Sequence, residues 1–259
     1  MERPETARLS RGAKWLLGAF VLLAGTVADA DEWGHLKGQV VVTGDLSEVR
    51  FLARKIDPQI KDAAVCGAMD LPDESVLVEP QGRGLANVFV YLKDPPARIH
   101  PGRRDPPADD ALLMMQNCRY FPHAFVMRAG QALQIQLQEG EVVHAPHVYT
   151  MANPVPGLSP AIPVQRINLR HGERLPLPIK CGIHPWMRST LLVVDHPYAT
   201  VTDANGRFEI NDLPTGEQTF RVWHERPGYL VREWKATIAG GKTLETPAIE
   251  VAAERLKER

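Results

Sequence analysis

A cysteine, a histidine and a methionine follow one another at intervals of three residues in the run Cys181-Gly-Ile-His184-Pro-Trp-Met187. Sulfur donors suit Cu(I), whereas imidazole nitrogen suits both copper oxidation states, so this set of side chains favours a redox-active copper ion. Zinc is the weaker interpretation, because structural zinc takes four Cys or His ligands and catalytic zinc rarely uses a thioether. The alternative without a metal is a buried thiol beside a methionine that packs in the core.

A site of this kind needs a second imidazole from another part of the chain. His144 and His147, in Val142-Val-His-Ala-Pro-His147, are the two candidates. Side chains alternate along an extended chain, so the two rings are expected on opposite faces. We expect His144 to be the ligand. For His123 the alternatives are a place near the metal and a solvated loop position, which we favour; the remaining histidines are interpreted as structural or surface residues.

Apolar, β-branched segments stand on both sides of the Cys-His-Met run. Residues 175–179 lead into it and residues 189–194 lead out of it, and both read as strands. The candidate ligands are therefore predicted to lie on a tight connection between two strands, where a rigid framework can hold them.

From about Leu112 to Asp195 the sequence resembles a cupredoxin with the short ligand loop of amicyanin. The segments that carry this resemblance, besides the loop itself, are Phe121-Pro122, Phe125–Gly130 and Leu133–Leu137. It implies a Greek-key sandwich that holds one copper ion cycling between Cu(I) and Cu(II). Its equatorial ligands would be His144, Cys181 and His184, and Met187 would be the weak axial ligand.

The same resemblance implies how electrons would enter and leave. His184 would be an exposed electron port, and Pro185 and Trp186 would form an apolar docking patch around it; a buried anchor is the alternative role of Trp186. Cupredoxins usually carry Asn after the first histidine to tie the ligand loops together. Here that residue is Ala145, so the resemblance does not extend to the usual loop rigidity and potential, which such hydrogen bonds tune.

Residues 1–30 have the layout of a secretory signal peptide. Basic residues precede the apolar run Trp15–Val27, and Ala28-Asp-Ala30 follows as a cleavage site. The run is shorter than the roughly twenty residues that cross a membrane, which argues against a stable span after cleavage, although an uncleaved anchor is the alternative. We expect a periplasmic or secreted protein.

Export affects how the three cysteines are interpreted. In an oxidising compartment spare thiols tend to pair, so if Cys181 binds metal, Cys66 and Cys118 are expected to form a disulfide. Two separate buried thiols are the alternative.

Composition predicts an all-β globular protein without a nucleic-acid surface. The 259 residues carry a formal net charge of −1, so no basic face is indicated. The 22 Pro and 20 Gly divide the chain into short segments that read as antiparallel strands and turns, including an Asn205-Gly206 hairpin turn. Residues 253–259 are charged and are interpreted as a solvated tail.

A second resemblance, to the carboxypeptidase regulatory-like (transthyretin-like) sandwich, is divided between two parts of the chain. Thr202-Asp-x-x-Gly206-x-Phe208 and Leu213-Pro-x-Gly216 are its second half, while the strands near Gly38 and Gly84 are its first half. It implies a cupredoxin-like domain, 108–196, inserted in one sandwich formed by 31–107 and 197–252. Domains joined in tandem are the alternative. The runs Cys181–Met187, Asp195-His-Pro-Tyr-Ala199 and Val222-Trp-His-Glu225 also resemble exported proteins of the methylamine-utilisation-like group.

These features together predict an electron-transfer protein and not an enzyme. Four protein ligands leave no open coordination position for a substrate, and no hydrolase motif is present. The expected partner is a redox protein such as a c-type cytochrome or a dehydrogenase. Two other classes stay open, a Cu(I) storage or delivery module and a sandwich that binds a partner or glycan.

Overall fold

The computed structural model describes residues 32–45, 51–53, 59–138 and 142–257. The segment 1–30, where the signal peptide is predicted, lies outside the described residues. Regular structure in the described part is β-strand apart from the short helix α1, Ala63–Cys66, and two 3-10 turns, Pro101–Arg103 and Ala253–Leu256. The all-β prediction is confirmed.

The strands have the following bounds. In chain order they are β1 Trp33–Thr43, β2 Phe51–Ala53, β3 Leu71–Pro72, β4 Phe89–Leu92, β5 Ala111–Gln116, β6 Arg119–Phe121, β7 Ala124–Arg128, β8 Ala132–Leu137, β9 Pro146–Val148, β10 Val164–Asn168, β11 Leu177–Cys181, β12 Arg188–Val194, β13 Ala199–Val201, β14 Arg207–Pro214, β15 Gly216–His224, β16 Gly228–Ile238, β17 Thr243–Glu245 and β18 Ile249–Ala252.

Strands from both ends of the chain make a first sandwich. One sheet has the order β14-β1-β17, with β18 also paired to β1, and the other has the order β13-β4-β15-β16. Alternate residues of each strand point inward, such as Val40 of β1, Val90 of β4 and Phe220 of β15, and they share one buried core. β1 and β4 thus pair with strands after residue 198, whereas β2 and β3 pair with each other in a separate two-stranded sheet.

Residues 111–194 make a second sandwich. Its sheets have the orders β10-β8-β5-β6 and β7-β12-β11-β9. The core between them includes Leu113 of β5, Ile135 of β8 and Leu191 of β12, together with Cys181 and Met187. The metal-ligand candidates therefore lie at the end of a packed β-sandwich.

The expectation of antiparallel strands throughout was wrong. β12 pairs with β7 in parallel, β5 pairs with β8 in parallel, and β1 pairs in parallel with both β17 and β18. Periodicity along a strand reports which face is buried and carries no information on the direction of its neighbour.

The turn at Asn205-Gly206 does not close a hairpin. β13 before it pairs with β4, whereas β14 after it pairs with β1 in the opposite sheet, so the turn crosses between the sheets. Gly206 has φ +72°, and a Cβ atom there would lie 2.3 Å from the carbonyl oxygen of Val40. Only glycine fits, because the turn passes against the backbone of β1.

Two strands are buried on both faces, where the sandwiches meet. Phe89 and Tyr91 of β4 pack against Leu192 and Val194 of β12, while the residues between them face the cores of their own sandwiches. This double burial explains the uninterrupted apolar runs in both strands. The four sheets of the two sandwiches form one stack of layers.

The two ends of the second sandwich lie close together. Arg128 donates from its guanidinium to the carbonyl oxygens of Arg103 and Arg104 on the incoming side, at 3.0 and 3.1 Å, and of Asp195 on the outgoing side, at 3.4 Å. One side chain therefore spans both connections.

The C-terminal residues do not form a solvated tail as far as residue 257. Ala253 and Leu256 are buried in the core of the first sandwich, because the turn that contains them folds back after β18. No helix among the described residues is long and apolar enough to cross a membrane.

Candidate metal centre

His144, Cys181 and His184 come together at one end of the second sandwich. One donor atom from each lies within 4.8 Å of the other two. The Nδ1 atoms of the two histidines are 2.8 Å apart, and His184 Nδ1 is 3.8 Å from Cys181 Sγ. All three residues are at most 5% exposed. The described residues thus place two imidazoles and a thiol around a common point that water does not reach.

The loop between β11 and β12 arranges the second and third of these side chains. Cys181 is the last residue of β11 and Met187 immediately precedes β12. Backbone N–H groups of Cys181 and Met187 donate to the carbonyl oxygens of Met187 and His184, at 3.2 and 3.0 Å. This closes the loop tightly, and the Met187 side chain is buried in the same core as Cys181.

The side chain of Ala145 cannot form a hydrogen bond between the two ligand loops. Backbone groups form one instead. Gly182 donates its N–H to the carbonyl oxygen of Ala145 at 2.8 Å, which joins the two ligand loops. The N–H groups of Ala145 and His184 both point to Cys181 Sγ, at 3.4 Å each. These two N–H groups hold the sulfur in place between the two ligand loops.

His147 lies outside the cluster. It is exposed in β9, where it pairs with Lys180, and its Nε2 approaches the Cα side of Gly182. The alternation expected between His144 and His147 is therefore present. Their use as ligand and non-ligand stays a prediction.

Tyr120 lies in the same core as Cys181, and this environment changes its pKa. Its side chain is 1% exposed, and burial followed by the charge on Cys181 raises its pKa. Its hydroxyl group has no hydrogen-bond partner among the described residues.

His184 is not an exposed port, and this corrects the expectation from the sequence. The residue is 0% exposed, and Asp62 lies against the edge of the ring that points away from Cys181. Asp62 Oδ2 lies 2.9 Å from His184 Nε2. Sequence reasoning missed Asp62, since it precedes His184 by more than a hundred residues and no local motif marks it.

The residues after His184 have different exposures. Pro185 is exposed, as a docking patch would require. Trp186 is half-buried, and its Nε1 donates to the carbonyl oxygen of Cys118 at 3.2 Å. This contact supports the anchor role of Trp186, and the docking role of Pro185 and Trp186 stays a prediction.

Cys66 and Cys118 form the expected disulfide. Their Cα atoms are 5.4 Å apart, inside the usual range for such bonds, and Cys181 is the free cysteine of the chain. The bond joins α1 to the loop between β5 and β6. It therefore fixes the segment that contains Asp62 to the second sandwich.

The favoured interpretation of His123 as a solvated loop residue was wrong. Its side chain is 8% exposed, pairs with Glu225 and lies 3.9 Å from Glu74. Burial opposes the charge on His123, but Glu225 and then Glu74 outweigh burial and raise its pKa. Arg226 with Asp73 and Arg119 with Glu74 complete a network of ion pairs beside the loop of Met187.

The donor set fits a copper ion. Two imidazole nitrogens and one thiol sulfur face each other in a buried site, with a methionine in the same closed loop, and this combination suits copper better than a hard cation.

Comparison with solved structures finds copper proteins at low similarity. A Cu-containing nitrite reductase from Thermus scotoductus SA-01 is 16% identical, with a TM-score of 0.28 over 38% of this chain and 27% of that chain. A mutant plastocyanin of fern is 20% identical, with a TM-score of 0.27 over 32% and 100%. Amicyanin from Paracoccus versutus is 14% identical, with a TM-score of 0.27 over 40% and 97%.

No protein-family model matches the chain, and no match is found among curated proteins. TM-scores below 0.5 do not establish a shared fold, so the case for copper rests on the side chains of the site.

Proposed function

We propose that this chain binds one copper ion through His144, Cys181 and His184, with Met187 as the weak fourth ligand, and that it passes single electrons. The observation that carries the proposal is the buried cluster of three donor atoms within 4.8 Å of one another. Bound copper would supply a one-electron couple between Cu(II) and Cu(I). The described residues would supply a fixed, dry set of ligands.

The surroundings of the ligands support electron transfer over substrate chemistry. The two ligand loops are joined by the Gly182–Ala145 hydrogen bond, and the sulfur accepts two N–H groups. A rigid site keeps similar geometry in both oxidation states, and four protein ligands leave no position for a substrate. We therefore place the protein among electron carriers and not among enzymes.

The proposed compartment is the periplasm or the exterior. The disulfide Cys66–Cys118 supports it, because such bonds persist in oxidising compartments. The partner would be a redox protein such as a c-type cytochrome or a dehydrogenase, and exposed Pro185 beside His184 is one apolar contact for it.

A second candidate function is storage or delivery of Cu(I). The burial of His184, and not the charge of Asp62, is the observation that favours it, because an electron carrier gains from an exposed ligand edge whereas a storage site does not need one.

We also propose that the second sandwich is an insert in a carboxypeptidase regulatory-like first sandwich. The pairing of β1 with β14 and of β4 with β15 supports this arrangement, as does the single Arg128 guanidinium that reaches both connections.

Visible absorption decides between the two copper functions. We expect the oxidised, copper-loaded protein to show an intense thiolate-to-Cu(II) band and Cys181→Ser to lose it. A colourless Cu(II)-loaded wild type would refute electron transfer at a thiolate site. A band that survives Cys181→Ser would refute the assignment of the sulfur ligand.

A further inference from the structure

Asp62 has an unusual backbone and an unusual hydrogen bond. It lies at the N-cap of α1 with φ 55° and ψ 43°, in the left-handed region, which is uncommon for residues other than glycine and which Asp adopts more readily than most. An aspartate at an N-cap usually accepts from the N–H groups of its own helix. Here the side chain makes no such bond, and the carboxylate meets His184 Nε2 instead.

A disulfide and a hydrogen bond together hold the segment of Asp62 in this position. Cys66, at the other end of the helix, is bonded to Cys118, and the carbonyl oxygen of Cys118 accepts from Trp186 in the ligand loop. The segment that bears Asp62 is therefore attached to the ligand loop at Trp186, two residues after His184.

We assign the tautomer of His184 from its contact with Asp62, because the position of a ring proton is inferred from its hydrogen-bond partner. A carboxylate at 2.9 Å accepts a hydrogen bond, so Nε2 is the donor. The Nδ1 lone pair then faces His144 and Cys181, which is the orientation that a metal ion requires. A carboxylate behind a ligating imidazole also raises the basicity of that ligand.

We propose, on the basis of the proposed copper site, that Asp62 is a positioning residue that fixes the tautomer of His184 and biases the metal toward Cu(II). A negative charge beside the ligand stabilises the more highly charged ion. Lys61 Nζ lies 4.0 Å from Asp62 Oδ1 and the Asp62 side chain is 31% exposed, so solvent and this ammonium group moderate the effect.

The first test needs no metal. In the metal-free protein at neutral pH, ¹⁵N shifts of the His184 ring should show a protonated Nε2 that exchanges slowly with water. Asp62→Ala should lose this slow exchange and give a mixture of tautomers, whereas Asp62→Asn should keep the tautomer through its amide oxygen. An unchanged His184 spectrum in Asp62→Ala would overturn the proposal.

The second test separates the charge of Asp62 from its shape. Both Asp62→Asn and Asp62→Ala should keep the thiolate-to-Cu(II) band but shift the ratio of Cu(II) to Cu(I) affinity about tenfold toward Cu(I), which raises the potential by about 59 mV. The exposed Asp109→Asn is the matched control and should shift nothing. Equal potentials in wild type and Asp62→Asn would overturn the electrostatic part.

The two tests also distinguish this proposal from the copper function. Absence of the band in wild type would refute the proposed function but leave the tautomer measurement valid. A normal band with no effect of either Asp62 variant on tautomer or potential would refute the role of Asp62 alone.

Discussion

The rings of His144 and His147 lie three residues apart, one in the buried cluster and one on the exposed side of β9. If His144 is the ligand, His144→Ala removes one of two imidazoles and should abolish the charge-transfer band. His147→Ala should leave the band nearly unchanged, because His147 faces Gly182 from outside. Visible absorption of the two copper-loaded variants measures this, and the reverse result would reassign the ligand.

Residues that are close in sequence were predictable at this scale. Cys181, His184 and Met187 lie on one closed loop, so their spacing alone brings them together. Asp62 was not predictable, because its position depends on the path of the chain from α1 to Cys118. The alternation that separates His144 from His147 is a local property, whereas the exposure of His184 depends on a distant segment.

At the scale of strands, two buried histidines lie at strand ends. His196 follows β12 and His224 ends β15. Burial lowers the pKa of each to about 4. An unfolded histidine binds a proton below about pH 6.5, so unfolding takes up protons between pH 6.5 and 4, and stability falls as the pH is lowered through this window. Each histidine accounts for up to about 3 kcal/mol of the unfolding free energy that is lost across this window.

We expect His224→Gln to reduce the loss of stability on acidification. The free energy of unfolding, measured with denaturant between pH 6.5 and 4.5, should depend less steeply on pH in this variant, even if the variant is less stable overall. The difference should correspond to about one proton fewer taken up on unfolding. The exposed His171→Gln is the control and should keep the wild-type slope. An identical slope in His224→Gln would contradict the neutral, buried state of His224. His123 acts in the opposite direction, because its pKa is raised.

The strands named from the sequence are present, but β9, β10 and β17 were not predicted, and strand partners were read only in part. The apolar runs in β4 and β12 predict burial but not that Phe89 and Leu192 face each other across two sandwiches. The same limit applies to the parallel pairs of β1, β5 and β12, since direction is set by long-range connections. A tight turn in the sequence predicts the local reversal of the chain, but it does not show whether the two flanking strands pair with each other.

At the scale of the whole molecule, the proposed insert predicts that the first sandwich can fold without the second. Its core is contributed by β1, β4, β14, β15, β16 and β18 and does not include strands of residues 111–194. Removal of about 108–195, with a short Gly-Ser connection, adds little loop-closure cost, because Arg128 shows that the two connections lie close together.

Removal would, however, expose the outer face of β4. Phe89 and Tyr91 pack on Leu192 and Val194, so the shortened chain should fold but self-associate. Phe89→Thr and Tyr91→Thr keep strand propensity on this face, and Cys66→Ser removes the thiol that loses its partner. We expect this redesigned chain to be monomeric, with a β-type circular dichroism spectrum and one cooperative thermal transition. A redesigned chain without a cooperative transition would show that the first sandwich depends on the second, and the proposed domain boundaries would then be wrong.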